Sequence, residues 1–180
     1  VLILASFVLM IVLKWNPIQW FGWVLAVFSG IYLLHMAMWG MNYYAGSLAE
    51  DMRLEVSSYN LEELTEATEY YRDKANDLAN QVSRDGSGNV QFASFEELAN
   101  KAGEGFHTLT YGNHYPVFAG CTLPVKKLDW ADMYTSMGLT GYTFGITGEA
   151  CVNPQIPDVL LPFTMAHEMA HRMCIASERD

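Results

Sequence analysis

The chain has 180 residues, 51% of them apolar, and a formal net charge of −10 from ten Lys and Arg against twenty Asp and Glu. That length suits one medium domain with its own core plus a membrane anchor. The acidity leaves no basic face to neutralise phosphates and argues against a nucleic-acid partner.

Charge is unevenly placed, since residues 1–39 hold a single full charge, Lys14. Val1 to Leu13 is an unbroken apolar run. It is shorter than the roughly 20 residues a span needs, so it reads as the tail of a truncated helix. Lys14 to Gln19 forms a short polar turn, and Trp20 to Trp39 is a second apolar segment of 20 residues. That segment is long enough for a hydrocarbon core of about 30 Å. Trp20, Trp23 and Trp39 lie near its ends, where indole rings prefer the headgroup region. The expectation is a transmembrane hairpin over residues 1–40 in the cell membrane, multi-pass, with the lipid bilayer as its first partner. Lys14 in the turn, against Glu50 and Asp51 after the second segment, puts residues 41–180 on the non-cytoplasmic side. A chain that opens on Val1 and stops at Asp180 also reads as a fragment, with the 41–180 domain truncated at its C-terminus.

Gly46 to Val82 reads as helix. Asn60 and Glu63 make an N-cap with a reciprocal acid three residues on. Leu61, Leu64, Thr68, Tyr71, Ala75, Leu78 and Val82 then form one apolar stripe, expected to be a packing face. Ser94 and Glu97 repeat the cap and open a helix toward Leu109. Tyr111 to Pro124 is rich in Gly and Pro and reads as irregular, while Asp129 to Met137 suggests a short helix. Gly141 to Asn153 mixes aromatic, β-branched and glycine residues, as a bent strand or hairpin does. Pro162 stands near the start of the last helix, where proline is tolerated. Three cysteines, Cys121, Cys151 and Cys174, are too few for a disulfide scaffold. A Cys121–Cys151 bridge and buried free thiols both remain open. His107 and His114 read as ordinary loop histidines.

In the last helix His167 and His171 stand four residues apart with Glu168 between them. Four residues of α-helix put both imidazoles on one face, about 6 Å apart along the axis. Two side chains so placed can share one Zn²⁺ with Zn–N bonds of about 2.0–2.1 Å. Glu168 then lies over the open position, where it can act as general base toward a water that the ion activates. With five His and twelve Glu in the chain, chance would produce the motif about once in a hundred such chains. Met165, Ala166, Met169, Ala170 and Met173 around it are uncharged, as a helix buried beneath a cleft requires. Arg172 departs from the peptidase pattern, but its long side chain can reach solvent.

The third ligand is less plain. The metzincin spacing fails, because Cys174 and Ser177 occupy its glycine and third-histidine positions. Glu178 is the nearest acid, yet on a straight helix it would lie about 10 Å beyond His171. It can therefore serve only if the helix breaks between Cys174 and Ser177. A ligand beyond Asp180 is the other option.

Thr147-Gly148-Glu149-Ala150, Val152-Asn153, Leu161-Pro162-Phe163-Thr164, the His167 to His171 motif and Glu178 together resemble bacterial membrane proteins grouped as domain of unknown function 3810. The Trp39-Gly40-Met41-Asn42-Tyr43 junction is similar as well, so the likeness covers most of the chain. Those proteins are grouped with gluzincin-like metallopeptidases, and Glu178 matches the first residue of their third-ligand segment. Family members commonly carry glycine where this chain has Cys174. The resemblance implies a metallopeptidase-like site without an established substrate.

The resulting expectation is an α+β, mostly helical protein, with the membrane hairpin followed by a gluzincin-like zinc-helix domain holding a small sheet. It would be a membrane-anchored zinc-dependent hydrolase acting on a protein or peptide, including membrane or envelope proteins. In this reading Gly145 to Asn153 is an edge strand receiving extended substrate, with Glu149 and Asn153 beside it. The alternative is a non-catalytic membrane sensor or assembly factor that keeps the zinc for structure.

Overall fold

The computed structural model describes residues 1–112, 115–120 and 122–178. Among them the architecture is α+β and mostly helical, with seven α-helices and one three-stranded sheet. The chain divides into two compact units, residues 1–45 with the turn 145–147, and the remainder.

The first unit holds α1 (Leu2–Val12) and α2 (Pro17–Met38). Asn16 caps α2 by accepting from the Ile18 N–H at 2.9 Å, and Pro17 supplies a first turn that needs no donor. The cap explains why the helix starts ahead of the apolar run. Trp20 joins the two helices, its indole N–H 3.3 Å from Ser6 Oγ and its ring edge-on to Phe7 at 5.4 Å. None of the 22 residues of α2 is buried, and its length and composition suffice to cross a membrane. At 11 residues α1 falls short of that length.

The second unit begins with α3 (Leu48–Asp51) and α4 (Leu61–Ala79). The single helix expected over residues 46–82 is therefore two. The reason lies in the caps themselves. Asn60 sits in extended backbone so that its side chain can accept from the Glu63 N–H at 3.0 Å, while its own N–H donates to Glu63 Oε2 at 2.9 Å. A residue used this way ends whatever helix precedes it. The apolar stripe of α4 also departs from expectation. Every residue of α4 is exposed, and nothing among the described residues covers it.

The core forms where α5 (Phe95–His107) and α7 (Leu161–Arg172) meet the sheet. Phe106, Phe118, Val125, Val152, Leu161, Met165, Met169 and Met173 share one buried cluster, with Met165 and Met169 at 0% exposure. Gly103 of α5 lets the helix lie against the chain at Thr122, whose carbonyl oxygen a Cβ there would meet at 2.5 Å. The sheet comprises β1 (Lys126–Lys127), β2 (Gly141–Phe144) and β3 (Glu149–Val152), in the order β1-β3-β2. The hairpin expected over residues 141–153 is β2 and β3, paired antiparallel from Gly141↔Val152 to Phe144↔Glu149. The short helix expected over residues 129–137 is α6 (Ala131–Ser136), which precedes the hairpin in the chain. Two-residue β1, parallel to β3, left no periodicity to read. It also corrects the edge-strand expectation: with a neighbour on each side, β3 is the middle strand, and among the described residues β1 and β2 form the edges of the sheet.

Candidate metal centre

Nothing caps α7 at its start with a side chain; Pro162 fixes its first turn and apolar burial does the rest. The end of α7 decides the site. Met173 closes the helix, and Cys174 turns into the left-handed region at φ 73°. The Cys174 N–H returns to the His171 carbonyl at 2.9 Å, and the Ile175 N–H to the Ala170 carbonyl at 3.2 Å. Those two bonds are the Schellman pattern, which normally places glycine at this residue. The chain thus breaks where ligation by Glu178 demands it, and without a glycine.

The reversal carries Glu178 back over the histidine face. His167 Nε2 lies 3.2 Å from Glu178 Oε2, His171 Nε2 lies 3.2 Å from Glu178 Oε1, and the two Nε2 atoms are 3.1 Å apart. Ligands about 2.05 Å from a shared tetrahedral ion stand about 3.3 Å from one another. Two imidazoles and a carboxylate at this spacing therefore fit Zn²⁺ in both donor chemistry and size. His171 Nδ1 lies 2.7 Å from the Ile175 carbonyl oxygen, which can only accept, so Nδ1 carries the proton. That tautomer leaves Nε2 with its lone pair toward Glu178 and His167, the usual outer support of a ligating histidine. The same turn thus brings both the third candidate ligand and the carbonyl that orients the second.

Glu168 is 4% exposed and lies between α7 and β2. The Thr143 hydroxyl lies 2.9 Å from Glu168 Oε2 and 2.8 Å from the Glu168 carbonyl oxygen. Burial pushes the Glu168 carboxyl above its ordinary value, against the pull of the Thr143 hydrogen bond and of the two histidines. Gly141 makes the fit possible, because a Cβ there would stand 2.8 Å from Glu168 Oε1 and 2.9 Å from the Cys151 carbonyl oxygen. Neither Gly141 nor Thr143 was singled out from sequence. A glycine inside a strand does mark close approach by a neighbour, whereas nothing local distinguishes Thr143 from any strand threonine.

The structure brings His167, Glu168, His171 and Glu178 together and uses the two upstream residues differently. Glu149 is exposed and paired with Lys126 across β1 and β3. Asn153 is 1% exposed, donating to Thr135 Oγ1 at 2.9 Å and the Leu139 carbonyl at 3.1 Å while accepting from the Gln155 N–H at 3.0 Å. Its amide is spent on fixing the exit of β3. Arg172 is half-buried, and its guanidinium donates to the Leu123 carbonyl instead of standing free in solvent. Phe163 stacks on His167 at 6.0 Å and leaves its other face open. Cys151 is a buried free thiol, pushed above its usual value by burial, while Cys121 lies outside the described residues. His107 ends α5 and packs on Tyr111, and His114 also lies outside the described residues.

A mostly helical domain with a metal-fitting His, His, Glu triad on one helix and its return turn is what fold and site define. The sequence matches the family described as "Protein of unknown function (DUF3810)" over residues 1–180, and the chain belongs to that family. No curated protein and no solved structure matches it significantly.

Proposed function

We propose that this chain is a membrane-anchored zinc-dependent hydrolase, a metallopeptidase in which His167, His171 and Glu178 hold the ion and Glu168 is the general base. The observation that carries this reading is the convergence of two imidazole Nε2 atoms, 3.1 Å apart, on the two carboxylate oxygens of Glu178, each 3.2 Å from one of them, next to the buried Glu168. When bound, the ion supplies Lewis acidity and lowers the pKa of a water to about 7. Glu168 is suited to take a proton from that water, because burial raises its proton affinity and Thr143 fixes the direction of its carboxylate. Glu178, exposed on its far side, leaves the triad open to an incoming substrate.

A peptide fits this arrangement through the free edge of β2, which lies next to Glu168 and can receive an extended chain by strand addition. Exposed Glu149 on β3 is retained as a lining residue in this reading; Asn153, with its amide fully engaged, acts as support. The same reading takes α1 and α2 as a multi-pass anchor with residues 41–180 outside the cytoplasm, so that membrane or envelope proteins come within reach. Its support is the apolar length of α2 and the lone Lys14 in the turn.

Glu168→Gln tests the chemistry. It should keep zinc bound and lower hydrolysis of a peptide library by about 10²–10⁴-fold. A variant that keeps full function in cells would favour the non-catalytic sensor or assembly factor instead.

A further inference from the structure

The residues of α4 follow a seven-residue pattern that has no role in the metal centre. Leu61, Thr68 and Ala75 alternate with Leu64, Tyr71 and Leu78 at spacings of three and four, which are the a and d positions of a heptad. All six lie along an exposed face, with Leu61 79% and Tyr71 66% exposed. The reciprocal cap at Asn60 and Glu63 starts this 19-residue helix without help from any other element. Helices of this size owe most of their stability in proteins to packing of the apolar face, which here lacks a cover among the described residues.

The charges indicate what kind of cover fits. Glu62, Glu63, Glu66, Glu69, Asp73 and Asp77 fall at the b, c and f positions, away from the seam. The flanking e and g positions are Thr65, Ala67, Arg72, Lys74 and Ala79, with no acid among them. Arg72 is drawn outward by Asp73 at 2.8 Å and Glu69 at 3.9 Å, and Lys74 lies over the Tyr70 ring at 5.7 Å. In a parallel pair of such helices, Ala67 would face Arg72 and Lys74 would face Ala79, so no like charges meet. The bulky Tyr71 layer would lie between the small Thr68 and Ala75 layers, which leaves room for two rings. Tethering at a membrane raises the effective concentration of one copy for another, which favours a seam too short to associate strongly in free solution.

We propose that α4 pairs with α4 of a second copy of this chain as a parallel, in-register two-stranded coiled coil. The inference is independent of the metal reading. It makes Leu64 and Leu78 central contacts and leaves Glu66 on the outside.

Disulfide trapping in vesicles carrying the whole protein tests it. Leu64→Cys should give a cross-linked dimer under mild oxidation, whereas Glu66→Cys and the unmodified chain should not. The wild type in lipid nanodiscs should have twice the protomer mass. The double variant Leu64→Asp, Leu78→Asp should have the protomer mass with an unchanged thermal transition of the metal-site core. A wild type of single protomer mass, no cross-link at Leu64, or equal cross-linking at Glu66 would overturn the proposal.

Discussion

Two helices of the second unit invite comparison. α4 has a reciprocal capping box, acids in its first turn and a regular heptad, yet none of its residues is buried. α7 has no side-chain cap and a proline in its first turn, yet Met165 and Met169 are wholly buried and it carries all three residues of the motif. Local signals build the first helix, while contacts from α5 and the sheet hold the second. Strong local coding is thus no guide to where a chain keeps its chemistry.

The largest expected effect separates the two helices directly. Met169→Ala removes a fully buried side chain from the core and should lower unfolding stability by about 2–5 kcal/mol in chemical denaturation. Tyr70→Ala, on the outer face of α4, should stay within about 0.5 kcal/mol. Comparable losses at both positions would erase the contrast.

A smaller effect probes how the sheet holds α7. Thr143→Val leaves the buried Glu168 carboxylate without its hydroxyl donor and should cost about 1–3 kcal/mol. Thr143→Ser should recover most of that loss, because it restores the donor and gives up only a methyl group. Failure of serine to rescue would mean that Thr143 acts through packing alone.

The smallest effect concerns the turn that returns Glu178 to the histidines. Cys174 holds a left-handed conformation at φ 73° that costs a side-chain-bearing residue about 1–2 kcal/mol. Cys174→Gly should relieve that strain, offset in part by the greater freedom of glycine in the unfolded chain. The expected net gain is up to about 1 kcal/mol, read as a small rise in Tm, with zinc content unchanged.

Much of this could be read from sequence where the determinants are local. The N-caps at Asn60 and Ser94, the β2–β3 hairpin and the four-residue spacing of His167 and His171 all involve neighbours in the chain. What escaped depends on distant partners. Strand β3 is central because Lys126 and Lys127, far upstream, pair with Cys151 and Val152. Thr143 matters because α7 crosses it, a fact that no property of the strand announces. The break before Glu178 was required by helix geometry, but a cysteine at the turn concealed it, since glycine is the residue that ordinarily advertises a left-handed helix end.

The proposed chemistry depends on His167, His171 and Glu178 holding one zinc ion. Elemental mass spectrometry on the purified whole protein, beside His167→Ala, tests it most directly. The wild type should carry about one zinc per chain, by the stoichiometry of a single three-ligand site, and the variant should lose it. A folded wild type that carries no zinc, or a variant that keeps it, would mean that these three residues do not hold the ion.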